Sequence, residues 1–355
     1  MEKIKVAIIG CGTIANSAHI PAYMKNEKAE IKYFCDIIPE RADAAVEKYG
    51  VGKAVYDYKE VLADPEIEAV SICTPNYMHS VIAVDALEAG KNVLCEKPVT
   101  MSAAELEEVM AVSAETGKIF TVHQNRRWDV DYLEVVSAVR SGDIGKITTI
   151  ESTVLGERGV CFGWRGDPVA GGGMLYDWGV HLIDQLLMLY PNEKVVSVYA
   201  RLLSVLTPAV DDYFELTFKF SGGTTARVTV GTFALQKKPR WFVFGDRGTL
   251  KLDDFSGQVG GMARIKADVK GFDSVVGVKS LGPSRTMAPL EKDMLEPLEL
   301  PVVEDQPLEF WRNLIAAVEG KEECYIKQFQ LLRQMKIVDA AFLSSEKDEV
   351  IKVEI

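Results

Sequence analysis

Residues 4–15 read IKVAIIGCGTIA. A short, almost wholly apolar run that ends in a glycine turn predicts a strand buried on both faces. The turn has the spacing G-x-G-x-x-A, placed on Gly10, Gly12 and Ala15. In a strand–turn–helix unit the first glycine permits the tight turn. The second lets the backbone approach a pyrophosphate, and the small third residue lets the helix pack on the strand. The phosphate then sits at the positive end of the following helix, with Thr13 and Ile14 completing the loop. A second predicted strand ends in Asp36. A carboxylate there accepts hydrogen bonds from both adenosine ribose hydroxyls and repels a 2′-phosphate, which favours NAD. Arg41 is a candidate 2′-phosphate ligand, so NADP stays open.

The first third continues in the same rhythm. Apolar runs EIKYFC (30–35), EAVSIC (68–73), NVLC (92–95) and IFTV (119–122) alternate with helical patterns. PERADAAVEKYG carries Gly50 as a C-cap, SVIAVDALEAG ends at Gly90, and Ser102 with Glu105 forms a capping-box pattern. This alternation predicts an α/β domain over 1–122, a doubly wound parallel sheet of Rossmann type that binds NAD(P). From residue 123 strands follow one another: KITTIESTV, VVSVYARLLSV, DYFELTFKF, TTARVTVGTF, RWFVFG and GTLKLD. They predict a C-terminal α+β domain over 123–355 with a large, mostly antiparallel sheet, for substrate binding and oligomerisation. Residues 256–300 are weakly periodic and read as an irregular excursion. Helical patterns return at LEFWRNLIAAVEG and QFQLLRQMKIVDAAFLSS. With no Pro/Ser linker between them, the two domains are expected to pack directly and share a cleft.

The chain has 355 residues, 48% hydrophobic and 26% charged, with a formal net charge of −12. That balance fits a soluble two-domain protein and disfavours nucleic acid and anionic membranes as partners. No apolar run is long enough to span a bilayer, and the N-terminus lacks a signal-peptide pattern. Cys11, Cys35, Cys73, Cys95, Cys161 and Cys324 form no CxxC pair and are expected as reduced core thiols of a cytoplasmic protein.

Strand carboxyl ends line the ligand crevice of such a sheet. The fourth strand ends there in Thr74-Pro75-Asn76, which would border the cofactor; His79 either lines the site or packs at the next helix start. The fifth delivers Glu96-Lys97-Pro98, and a Pro there fixes the backbone and could be cis. A cation at that point stabilises developing alkoxide charge. Residues 171–185 read GGGMLYDWGVHLIDQ, and as a helix they put Asp177, His181 and Asp184 on one face. His181 suits general acid/base work and Asp177 would orient its ring or stabilise the imidazolium. A structural reading of the pair, as N-cap and core histidine, stays open, and the carboxylate Asp184 is a weaker substrate ligand. Zinc is not expected, because HExxH is absent and only His79 and His123 could add imidazole ligands.

GCGTIA, TPNYMH, CEKP and GGGMLYDWGVHLID occur in that order along the chain. Together they resemble the Gfo/Idh/MocA family, the relatives of glucose–fructose oxidoreductase and inositol dehydrogenase, over essentially the whole length. HQNRRWDVDY (123–132) resembles the scyllo-inositol dehydrogenase-like branch, which often uses NADP where this chain carries Asp36. The resemblance implies that Lys97 contacts the substrate hydroxyl and the nicotinamide ribose. It implies that Asp177 and His181 are the acid/base pair and that Trp164-Arg165 lies near the nicotinamide. Arg127 and Trp128 are further candidates for the sugar pocket. The implied activity is NAD(P)-dependent oxidation of a secondary ring alcohol of a sugar, glycoside or inositol by a homodimer or homotetramer. A non-catalytic sugar-sensing regulator and a redox-neutral enzyme with tightly held NAD remain alternatives.

Overall fold

The computed structural model describes residues 3–160, 163–269, 276–278, 282–285 and 289–355. Two sheets organise them. The first contains β1 (Ile4–Ile9), β2 (Ala29–Cys35), β3 (Lys53–Val55), β4 (Ala69–Ile72), β5 (Asn92–Cys95) and β6 (Phe120–Val122). All pair in parallel, in the order β3-β2-β1-β4-β5-β6. The strand order reverses between β1 and β4, so the ligand crevice of this sheet opens at their carboxyl ends. β3, a three-residue edge strand, has too short an apolar signal to be read from sequence.

Helices α1 (Ile20–Lys25), α2 (Pro39–Tyr49), α3 (Tyr58–Ala63), α4 (His79–Glu88) and α5 (Ala103–Thr116) connect these strands. Ser102 caps α5, its Oγ accepting the Glu105 N–H, while the Glu105 carboxylate reaches back to the N–H of Met101, one residue before the expected one.

The second sheet begins after α6 (Val130–Ser141). It contains β7 (Ile147–Leu155), then, after α7 (Val180–Leu189), β8 (Val195–Leu203), β9 (Tyr213–Phe220), β10 (Thr225–Gly231), β11 (Trp241–Gly245), β12 (Gly248–Leu252) and β13 (Gly260–Ile265). β14 (Val276–Val278) and β15 (Gly282–Arg285) form a separate ribbon, and β16 (Leu295–Leu298) returns to the sheet. The order is β16-β13-β12-β11-β7-β10-β9-β8-β17, closed by β17 (Ile351–Lys352) after α8 (Glu309–Val318) and α9 (Gln328–Lys347). β7 with β10 is a parallel pair in an otherwise antiparallel sheet. The stretch 256–300, expected to be irregular, therefore supplies the edge strand β16 and its neighbour β13. Their residues are mostly exposed or half-buried, so they carry little hydrophobic signal. Part of that stretch, and Cys161, lie outside the described residues. Among the described residues no helix is long and apolar enough to cross a membrane.

The C-terminal helices stitch the halves together. Trp311 of α8 meets His19 and Tyr23 of the first half edge-on, at ring separations of 4.9 and 5.1 Å. Asp339 of α9 accepts the N–H of Ala103 at the start of α5, and the Thr121 hydroxyl donates to the Ile326 carbonyl. The cleft is thus held by chain on both of its sides.

Gly10 has φ of +95°, and a Cβ there would stand 2.5 Å from the Cys73 carbonyl oxygen across the crevice. Gly10→Ala is expected to cost about 1–3 kcal/mol, the range for a strained backbone position, in urea denaturation. A variant within about 0.5 kcal/mol of wild type, as for a surface change, would contradict this close approach.

Candidate active site

The cofactor loop comes first. Asp36, at the end of β2, accepts the Cys11 N–H at 2.9 Å and the Ile38 N–H at 2.9 Å, so its carboxylate is anchored beside the glycine turn. A Cβ on Gly12 would meet nothing within 4 Å, which leaves open space in front of the loop. A pyrophosphate against that backbone and a ribose at Asp36 fit these residues. The chain runs on through Thr13 and Ile14 into a π-helical turn, Ala15–His19, and then α1.

At the end of β4, Asn76 donates to the Gly171 carbonyl at 2.7 Å. This ties the Thr74-Pro75-Asn76 loop to the triple glycine of the second half. At Gly171, φ of +79° and a Cβ position already filled by Met101 and Asn76 explain why only glycine fits there. His79 does not line the crevice. Its two ring nitrogens lie 2.7 and 3.0 Å from the carbonyls of Pro98 and Thr74, and it is fully buried between the two loops.

β5 delivers Glu96 and Lys97 in opposite directions, as alternation along a strand end requires. The Lys97–Pro98 peptide is cis. Glu96, expected beside the cofactor, is instead turned into the interior. Its Oε1 lies 2.6 Å from His19 Nε2 and 2.7 Å from His123 Nδ1, and its Oε2 accepts the Lys97 N–H at 3.2 Å. Burial pushes this carboxyl up, but the two imidazoles outweigh it and hold it well below the usual range. This is also the one group among the described residues with metal-ligand composition and spacing. Both imidazoles meet one carboxylate oxygen at hydrogen-bond distance, a pattern of N–H donors rather than of ligands around an ion.

Lys97 points the other way, across the cleft. Its Nζ donates to the Asp177 carboxylate at 2.7 Å and to the Asp177 carbonyl at 2.7 Å. Arg165 Nε approaches the same carboxylate oxygen at 3.6 Å, and its guanidinium lies 4.5 Å from the centre of the Trp164 ring. Burial raises the Asp177 carboxyl, and the two cations together carry it below its ordinary value.

Asp177, His181 and Asp184 do not bond to one another. Leu175–Gly179 is a π-helical turn that passes into α7. Each polar group finds its own partner. His181 Nδ1 lies 3.0 Å from Gln124 Oε1. Gln124 Nε2 in turn donates to Gln334 Oε1, and Gln334 Nε2 donates to the Val180 carbonyl. With the amides so directed, Nδ1 carries the proton and Nε2 the free lone pair. Gln124, not Asp177, thus orients the ring. His181 is held well below its ordinary pKa, by burial first and then by the charges of Lys97 and Arg126.

Asp184 and Arg127, both expected to touch substrate, are committed to each other. Two bonds of 2.7 Å join them, and the remaining Arg127 nitrogen donates to Gln330 at 2.9 Å. Only 9% and 3% of these side chains is exposed, so neither offers a free group. Trp128 does face open space: it borders a cavity of about 400 Å³ with Arg126 and Trp178.

Sequence reasoning missed Gln124, Gln334, His19 and the partnership of His123. Gln124 follows β6 within a stretch already singled out, so its strand-end position was a usable signal. Gln334 lies on α9, far away in sequence and without any motif.

Comparison with known proteins agrees with this fold. Residues 4–124 match the family described as "Oxidoreductase family, NAD-binding Rossmann fold", and residues 132–251 match the "GFO/IDH/MocA C-terminal domain". A solved NAD-binding protein from Listeria innocua superposes with a TM-score of 0.88 at 34% identity, covering 99% of this chain and 97% of that one. The scyllo-inositol 2-dehydrogenase (NADP(+)) IolW of Bacillus subtilis is 26% identical over 100% of this chain and 97% of its own length. The D-glucoside 3-dehydrogenase of Escherichia coli is 32% identical over 56% of this chain and 57% of its own.

The Arg127–Asp184 pair yields a direct test. Asp184→Ala strands a buried guanidinium and is expected to lose about 3–5 kcal/mol in urea denaturation. A loss within about 1 kcal/mol, as for an exposed pair, would contradict the buried structural role.

Proposed function

This chain belongs to the Gfo/Idh/MocA oxidoreductases, and on that premise we propose that it oxidises a secondary ring alcohol of a sugar, glycoside or inositol. The observation that carries this reading is the meeting of Lys97 and Asp177 across the cleft, beside a buried imidazole whose Nε2 is free. A bound nicotinamide would supply the hydride acceptor. Residues 1–122 would hold it, through Gly10, Gly12 and Asp36, and residues 123–355 would hold the substrate. Asp36 argues for NAD, since its charge opposes a 2′-phosphate.

The chain's own part is proton transfer and charge stabilisation. Lys97 Nζ donates a hydrogen bond to the reacting oxygen and stabilises the alkoxide that develops there. His181 Nε2 accepts the hydroxyl proton, and burial of the ring keeps it neutral and ready for that task. Asp177 holds the ammonium on target and balances the cluster once the imidazolium forms. With hydride and proton both removed, the alcohol carbon becomes a ketone, and the reverse sequence reduces it. The names of the relatives that act on scyllo-inositol and D-glucoside favour this substrate class. Free buried thiols at Cys11, Cys35, Cys73 and Cys95 favour the cytoplasm. An open sheet face bearing the exposed Tyr199 and Phe244 favours a homodimer or homotetramer.

Lys97→Ala and His181→Ala are expected to leave NAD binding nearly intact while losing turnover by on the order of 10²–10⁴-fold, measured as nicotinamide reduction with a panel of polyols and glycosides. Undiminished turnover in both variants would overturn the assignment.

The pH profile follows from His181. Protonation removes the base, so activity falls as pH drops through its pKa, which lies below the ordinary value of 6.5. The acid limb of kcat/KM should therefore sit below pH 6.5 in wild type. Arg126→Ala removes a cation that disfavours imidazolium and should move the limb upward. A limb unmoved in that variant would count against His181 as the base.

A further inference from the structure

Beyond Trp178 lies the cavity of about 400 Å³, within the roughly 300–1,000 Å³ usual for small-molecule sites. It shares a wall with the reaction centre. Trp178 follows Asp177 and stands edge-on to the His181 ring, with centroids 6.4 Å apart. Asn125 and Arg126, which also line it, follow Gln124. Trp128, Trp178, Phe255 and Phe310 give it aromatic walls. Its charged side chains are Arg126, Asp129 and Asp305.

Arg126 stacks at 4.3 Å over the Trp178 ring and pairs through Nη1 with Asp129 Oδ2 at 2.8 Å. Among the described residues, the side-chain Nε and Nη2 of Arg126 and the Asp129 Oδ1 have no hydrogen-bond partner, so donors and an acceptor stand together beside an aromatic face. A purely apolar ligand would strip water from these groups without replacing it. A phosphate or carboxylate would meet two carboxylates against one guanidinium. A sugar ring satisfies both demands, with its C–H face on the indole and its hydroxyls on the Arg–Asp pair.

We propose that this cavity is a second sugar subsite, so that the substrate is a neutral disaccharide-type glycoside whose non-reacting ring sits between Trp128, Trp178 and Phe255. This rests on the oxidoreductase reading of the neighbouring centre. Remote binding of that ring fixes the reacting ring at Lys97 and His181 and shows up in kcat/KM.

The test compares glucose with cellobiose and maltose as substrates of the full-length protein with NAD, in wild type, Phe255→Ala and Asp129→Asn. Wild type is expected to favour one disaccharide over glucose by about tenfold in kcat/KM, the equivalent of one or two net hydrogen bonds. Each variant should reduce that ratio severalfold, through KM for the disaccharide. No preference in wild type, or a ratio unchanged in both variants, overturns the subsite. If wild type oxidises none of the three sugars, the oxidoreductase reading fails on this substrate class, and the subsite is decided by direct binding. Trp128, Trp178 and Trp311 line the cavity, so tryptophan fluorescence reports occupancy. Saturable quenching by a disaccharide in wild type, weakened in Phe255→Ala, upholds it; absence of saturable quenching overturns it.

Discussion

The ion pair between Lys97 and Asp177 is the joint on which the site depends. It spans the cleft from the loop just after β5 to the π-helical turn that leads into α7. Both side chains are largely withdrawn from water, at 15% and 19% exposure, so each charge would be costly without the other. Any drift of one half relative to the other would break it. The neighbouring chain is arranged to prevent drift, with Asn76 on the Gly171 carbonyl and α8 and α9 packed on both halves. Behind Lys97, the Glu96 carboxylate is pinned by two histidines and in turn holds the Lys97 N–H. Arg165 adds a second cation at Asp177, so two positive charges face one negative. That net field suits a reaction in which an oxygen becomes anionic.

The orientation of His181 by an amide has its own chemical sense. A carboxylate partner would stabilise imidazolium and raise the ring's pKa. A glutamine fixes the tautomer without adding charge, so the ring stays neutral and Nε2 stays basic. Asp177 is thereby free to serve Lys97. Of the two roles open to Asp177 from sequence, orienting the ring falls to Gln124.

Much of the fold was legible because its signals are local. β1 and β5 coincide with the apolar runs read from sequence, since strands buried on both faces leave no polar alternation to blur them. The glycine loop carries its own geometry in its spacing. What escaped was either weakly patterned or non-local. β3, β13 and β16 lack a clear period. The π-helical turn at Leu175–Gly179 has no composition signal. Asp184 looked like a pocket residue because a charge in an apolar stretch implies a purpose, and Arg127 because it lies in the NRRWD stretch. Their purpose is each other, and only the three-dimensional meeting of β6's end with α7 reveals it. Gln334 completes the histidine's support from α9, where no motif announces it.

The most direct measurement is transfer of deuterium in a single turnover. A glycoside carrying deuterium on its ring carbons is mixed with excess protein and NAD, and the bound nicotinamide is analysed for label. Label in the reduced nicotinamide of wild type, and its slow appearance in Asp177→Asn at unchanged NAD affinity, is the result this account predicts. Label that never reaches the nicotinamide from any glycoside or inositol, or that arrives equally fast without Asp177, would contradict it.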